Sequence, residues 1–271
     1  MNQKTFKDLE REGWEQKADA YDDWLAVITR QAIGSILNSL GGLSNKRLLD
    51  VACGTGHLAG WAFERGAIAQ GIDFAEAMVR QAFRKYPQVS FSLGDAEALP
   101  HADRRFDAVA CAFGLMHFEN PEIAITEAYR VLHPGGRYAF TVWCSPQEGH
   151  DFLALILDAI QNHGSFDVPL PPAPPMFRFA DESECRRILT ATGFSDPIIS
   201  VLPMTWLGVE PRDVLDLMYK SIVRIPMLLA VQTEAARLRI NQAILDGASQ
   251  YRTTEGIRMR FRAKLVLVSK L

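Results

Sequence analysis

The chain has few of the residues that would staple it. Its four cysteines, Cys53, Cys111, Cys144 and Cys185, form no Cys-x-x-Cys pair, so no zinc ribbon, dithiol redox motif or other metal site is expected. Three of them stand in or beside apolar strand-like runs and read as small buried hydrophobes, which fits a reducing, cytoplasmic setting. Charge of one sign is also lacking. Lys and Arg number 29 against 32 Asp and Glu, a net charge of −3, so the broad basic footprint of a nucleic-acid binder is missing. No apolar run is long enough to span a bilayer. The first residues, MNQKTFKDLEREGWEQ, carry charge throughout and lack the apolar centre of a secretion signal. There is no internal repeat and no low-complexity tail. What remains is a chain of 271 residues, long enough to bury a core as one α/β domain with insertions.

Hydrophobic spacing predicts a helix over Asp22–Leu40, ended by Gly41-Gly42. A buried strand follows at Arg47–Cys53, then a glycine turn and a helix over His57–Arg65. The alternation continues with a strand at Ala67–Asp73, a helix at Ala75–Lys85 and a strand at Val89–Asp95. Next come a strand at Phe106–Phe113 and a helix at Pro121–Leu132, with Asn120 as N-cap and Pro121 at the first helical position. His133-Pro134-Gly135-Gly136 turns into a strand at Arg137–Trp143. Such β-α alternation is the pattern of a parallel sheet covered on both faces, a doubly wound, Rossmann-like α/β fold. Its ligands bind beyond the carboxyl ends of the strands, at the switch point.

After residue 145 the rhythm changes. Phe152–Ile160 reads as an apolar helix and Pro169–Pro175 as a stiff extended loop. Asp181–Thr192 reads as a helix capped by Gly193, and Ile198–Trp206 as a strand. Helices over Pro211–Ile225 and Gln232–Ala248 are expected to be separated by Pro226. Arg262–Val268 closes the chain as a strand.

Three acids end successive strands. Asp50 precedes Gly54-Thr55-Gly56, where glycines admit a ligand close to the backbone and a helix N-terminus offers free N–H groups. Gly54-Thr55-Gly56-His57-Leu58-Ala59 also satisfies a dinucleotide pattern. However, an acid before the glycines suits the ammonium of a bound amino acid better than a phosphate. Asp73 is placed to accept both hydroxyls of a ribose. Its plain alternative is an acid at a helix start, favoured by the dipole. Asp95 is placed to accept from an adenine amino group, although alone it would read as a turn acid.

Asp50-x-x-x-Gly54-x-Gly56, Gly71-Ile72-Asp73, Gly94-Asp95-Ala96, Phe106-Asp107 and Arg130-Val131-Leu132-x-Pro134-Gly135-Gly136 stand in one order. The chain thereby resembles the class I S-adenosylmethionine-dependent methyltransferases. The likeness is to the branch with ubiquinone and menaquinone biosynthesis methyltransferases and many small-molecule enzymes. It runs through residues 45–145, and Asp181–Val201 resembles the family's next helix and strand.

The resemblance implies a mostly parallel seven-stranded sheet with an antiparallel last strand and helical lid insertions. It implies S-adenosyl-L-methionine as cofactor. Asp50, Ala52, Cys53, Gly54, Thr55 and Gly56 would hold its methionine part and Asp73 its ribose. Asp95 and Ala96 would hold the adenine, with Phe74 and Met78 packed on it. Ala112 and Phe113 would line the sulfonium side, and Tyr21 would close over the cofactor. A single domain over 1–271 is expected. It comprises a helical cap at 1–44, the cofactor core at 45–145, acceptor-side lid segments at 146–180 and 207–256, and remaining sheet at 181–206 and 257–271.

A sulfonium methyl is already activated, so orientation and exclusion of water are the main tasks. If a base is needed, His117 is the catalytic candidate. His57 is expected to touch the cofactor carboxylate or solvent, and His101, His133, His150 and His163 to lie in loops or on the surface. Arg224 is expected to be an exposed lid charge. Trp24, Phe152, Phe166, Met176, Phe177, Trp206, Met218, Tyr219 and Met227 are candidates for an apolar acceptor pocket. Met116-His117 stand where quinone methyltransferases would carry Arg-Asn, which counts against methylation of quinone carbon.

The expected partner is therefore a small, apolar or aromatic acceptor, with no nucleic acid, no membrane span and a homodimer allowed. Two other readings stay open: a non-catalytic S-adenosylmethionine-binding module and an NAD(P)-dependent oxidoreductase.

Overall fold

The computed structural model describes residues 4–271; residues 1–3 of the expected N-terminal cap lie outside the described residues. Two helices come first, α1 (Phe6–Trp24) and α2 (Ala26–Leu40). Thr5 starts α1 through a capping box with Asp8. The sequence led us to expect one helix over Asp22–Leu40; instead the chain breaks at Leu25 and a nineteen-residue helix precedes it. Only Phe6, Glu10 and Ala18 of α1 are buried, so it carries no apolar stripe that periodicity would reveal.

The alternating core then follows as β1 (Arg47–Val51), α3 (His57–Glu64), β2 (Ile68–Asp73), α4 (Glu76–Lys85), β3 (Ser90–Leu93), β4 (Phe106–Ala112), α5 (Pro121–Val131) and β5 (Leu132–Trp143). Asn120 stands before α5, but its side chain donates to Glu97 and does not cap the helix. The rest comprises α6 (Asp151–His163), α7 (Glu182–Thr192), β6 (Ile198–Gly208), α8 (Arg212–Ser221), α9 (Arg224–Ala230), α10 (Glu234–Ala248), β7 (Arg252–Thr253) and β8 (Gly256–Ser269). Asp181 caps α7, with its carboxylate accepting from Ser183 and Glu184 N–H, and Gly193 ends it at φ 103°.

The strands run β3-β2-β1-β4-β5-β8-β6, a seven-strand path with the two-residue β7 appended to β8. β1 to β5 pair in parallel, and β8 is antiparallel to both β5 and β6. The last strand is thus the antiparallel one, and longer than Arg262–Val268. Pro226 separates nothing. It lies in the first turn of α9, where a missing N–H leaves no helical bond broken.

The order reverses between β2 and β4, on either side of β1. The loops after β1 and β4 therefore open a crevice at their carboxyl ends. Helix α1 packs against α2, α4 and α8, across that crevice.

Candidate active site

Strain marks the crevice. Ala52, just after β1, and Phe113, just after β4, hold φ of 56° and 58°, a region that side chains rarely adopt. Gly56 holds φ 84°, and a Cβ there would lie 2.7 Å from Phe91 and 2.9 Å from Ala82. Only glycine lets the loop turn into α3 at that point.

Asp50 is buried at the end of β1. Its Oδ2 accepts from Ala59 N–H at 3.1 Å, and its Oδ1 has no partner. Burial pushes its pKa up to about 8, against the pull of the Ala59 N–H, and the neighbouring Asp73 charge adds to the rise. Asp73, also buried, accepts from Gly54 N–H at 2.8 Å and Ala75 N–H at 3.0 Å. Burial outweighs those bonds and raises it to about 6. The protein thus holds two carboxylates that lack a cation.

Three cavities line up around these acids. The first is bounded by Tyr21, Arg30, Asp50, Ala52, Cys53, Gly54 and Thr55. The second has Tyr21, Asp73, Phe74, Met78, Ala112, Phe113 and His117 in its wall. The third reaches Asp95, Ala96 and Glu97. Every expected cofactor residue lines one of them except Gly56, whose part is the turn itself. Asp95 is met by the Lys7 ammonium of α1 at 2.8 Å, which also reaches Glu97 at 2.9 Å.

Helix α1 closes the crevice with polar groups that the sequence reading missed. Asp22 accepts from Thr55 Oγ1 at 2.6 Å, lies 3.1 Å from His57 Nε2 and pairs with Lys85. Burial alone would raise its pKa, but bonds from His57, Lys85 and Thr55 hold it well below the usual range. Glu15 accepts from Glu76 N–H and from Ala77 N–H, at the start of α4. Glu10 is fully buried, and its Oε2 meets both Trp14 Nε1 at 3.1 Å and His117 Nδ1 at 2.9 Å. An acidic residue on a polar helix gives no local signal of such a contact, 107 residues away.

A fourth cavity, of ≈ 50 Å³, adjoins the second, sharing Trp14, Leu25, His117 and Trp143 with it. His150 also lines it, which corrects the expectation of a loop or surface histidine: it is 1% exposed. Its Nδ1 accepts from Leu153 N–H at the start of α6, and its Nε2 has no partner. The ring is therefore a neutral tautomer with Nε2–H free to donate. Burial keeps it neutral, with the pKa pushed down to about 3. Phe152 and Met176 of the expected acceptor residues line this cavity, whereas Trp206 and Met218 are core. Arg224 is half-buried in the same wall, not an exposed lid charge. Trp24 lies under the Lys220 ammonium, and Tyr219 donates to Asn241.

All four cysteines are free and buried, and no cluster of metal-ligating side chains occurs among the described residues. No helix there is long and apolar enough to cross a membrane.

Residues 49–140 match the family model described as a methyltransferase domain. A demethylmenaquinone methyltransferase of Renibacterium salmoninarum is 34% identical over 156 residues, covering 55% of this chain and 66% of that protein. Another, from Thermus thermophilus, is 46% identical over 110 residues, covering 38% of this chain and 50% of its own length. The chain thus spans about half to two thirds of these curated relatives. In fold it is similar to the YcgJ protein of Bacillus subtilis, with a TM-score of 0.60 at 19% identity over 89% of this chain and 98% of that one.

Proposed function

Because the chain belongs to the class I S-adenosylmethionine-dependent methyltransferases, we propose that it methylates a hydroxyl on a small apolar ring compound of the quinol class. The observation that carries this reading is the junction at His117. That residue lines both the cavity of the paired acids and the apolar cavity beyond it.

The residues present fit the cofactor. The partnerless, buried Asp50 Oδ1 suits its ammonium. Arg30, at the same end, suits its carboxylate. Asp73 keeps lone pairs for ribose hydroxyls, and Phe74 with Asp95 and Ala96 borders the adenine end. Bound S-adenosylmethionine supplies an electrophilic methyl group on a sulfonium. Ala112 and Phe113 form the floor beneath that position, with Phe113 stacked on Trp143 at 4.1 Å.

On the acceptor side, the Glu10 carboxylate accepts from His117 Nδ1–H and leaves Nε2 with its lone pair. Nε2 takes the hydroxyl proton as the oxygen attacks. His150 Nε2–H donates to a second ring oxygen and fixes the ring's orientation. Trp14, Trp143 and Phe261 pack the ring and exclude water. At ≈ 50 Å³ the cavity admits a ring only if lining side chains such as Trp14 and Met176 change rotamer. Relatives named as demethylmenaquinone methyltransferases support a quinone-like ring. A histidine pair in the cavity favours oxygen as the atom methylated.

The test is transfer of labelled methyl from S-adenosylmethionine to a panel of apolar quinols and phenols, with His117→Ala in parallel. Labelled ether that disappears in the variant supports the reading. Labelled product on ring carbon, at equal rates in both proteins, would contradict it.

A further inference from the structure

We infer that the ring acceptor also carries an oxyanion group, which Arg224 holds, and an apolar tail, which lies in a fifth cavity behind that residue. The inference deepens the methyl-transfer reading and rests on it for the word acceptor.

This fifth cavity has a volume of ≈ 450 Å³. That falls within the roughly 300–1,000 Å³ typical of small-molecule sites. Its wall is apolar: Leu157 from α6, Phe166, Val168 and Leu170 from the loop after α6, and Met227 from α9. Met176, Arg224 and Ile225 line it and the His117 cavity alike, so the two meet at the guanidinium.

Arg224 has no counter-ion there. Nη1 donates to Met116 carbonyl at 3.0 Å and Nη2 to Pro174 carbonyl at 2.9 Å. The guanidinium carbon lies 5.1 Å from the Phe6 ring centre. None of these partners is an anion, and Arg224 makes no ion pair among the described residues. Burial pushes its pKa down, partly offset by the Glu10 charge. A half-buried charge held at a cavity wall without a counter-ion is costly. A ligand oxyanion removes that cost, and the guanidinium fork matches carboxylate and phosphate geometry. The two carbonyls fix the fork in place, so little side-chain freedom is lost on binding.

The probes are dodecanoate, dodecyl phosphate and dodecanol, each titrated calorimetrically into the full chain, with S-adenosylmethionine titrated into the same preparation. At least one anion is expected to bind about ten-fold or more tighter than dodecanol. The tighter anion identifies the head group. Arg224→Met should bring the anion and dodecanol to within about threefold. Leu157→Trp should weaken all three probes while leaving cofactor affinity unchanged.

Dodecanol matching both anions, no saturation by any probe, or a preference that survives Arg224→Met would each overturn the inference. If Arg224→Met does not fold, the comparison in the native chain decides alone. Cofactor binding without anion selectivity removes only this inference. Anion selectivity without cofactor binding removes the methyl-transfer reading instead.

Discussion

If the ammonium of S-adenosylmethionine neutralises Asp50, binding must change the number of protons held. Burial disfavours the Asp50 charge and pushes its pKa up to about 8. At pH 7 it is then about 0.9 protonated, and ion pairing with an ammonium drives that proton off. The ligand's amine, with an ordinary value near 8, is about 0.1 deprotonated at pH 7 and takes up that fraction. The net result is release of about 0.8 proton. At pH 9 the terms exchange: Asp50 has about 0.1 proton to lose, the amine must gain about 0.9, and binding takes up about 0.8 proton. Titration calorimetry in buffers of different ionisation enthalpy reads this number directly. The sign should reverse close to pH 8, and Asp50→Asn should abolish the release at pH 7. Binding enthalpy independent of buffer at pH 7, or release of equal size at pH 7 and 9, would refute the reasoning.

The same groups set the pH dependence of stability. Asp22 has a lowered folded pKa, so its contribution is present above the ordinary carboxylate range and is lost as pH falls through the lowered value. Asp22→Asn should therefore cost about 1–3 kcal/mol by urea denaturation at pH 6, a cost that shrinks only gradually as pH falls below the ordinary carboxylate range. Gly56→Ala forces a Cβ into Phe91 and Ala82 at positive φ, and should cost about 1–3 kcal/mol in the same assay. His117→Ala should lower kcat by about 10²–10⁴-fold with the cofactor Kd unchanged, as steady-state rates and calorimetry together would read. Glu10→Gln should lower kcat less and leave the acceptor KM near its original value, since the amide still reaches His117. A cofactor Kd that moved with kcat would place Glu10 in α1 closure and not in proton transfer.

Much of the fold was legible because it is written locally. Asp50, Asp73 and Gly94-Asp95 stand at the carboxyl ends of the first three core strands, Gly56 turns into α3, and Asp181 and Gly193 start and stop α7. Expectation failed first at the N-terminus. Helix α1 is held by ion pairs and side-chain bonds to elements far along the chain, and those leave no apolar period. The break at Leu25 follows from the need to fold α1 back over the crevice, a tertiary demand that outweighs propensity. Pro226 reads as a breaker in sequence, yet the first turn of a helix tolerates it.

Most residues proposed for the cofactor could be named from sequence for the same local reason: they end successive strands. The acceptor side was not. Glu10, on α1, and His150, just before α6, come from distant parts of the chain and meet at His117 and its cavity only in the folded chain. Arg224 looked like one more surface charge, and only its partners, two carbonyls and no acid, set it apart.

The central claim is a cofactor seat built from Asp50 and Asp73 around the glycine loop. Its most direct test is equilibrium titration of S-adenosylmethionine into the native chain and into Asp73→Ala. Saturable binding that the substitution weakens by about ten-fold or more, as loss of charge-assisted bonds to a ribose requires, is the expected result. No saturation at millimolar cofactor, or equal affinity in the two proteins, would contradict the account.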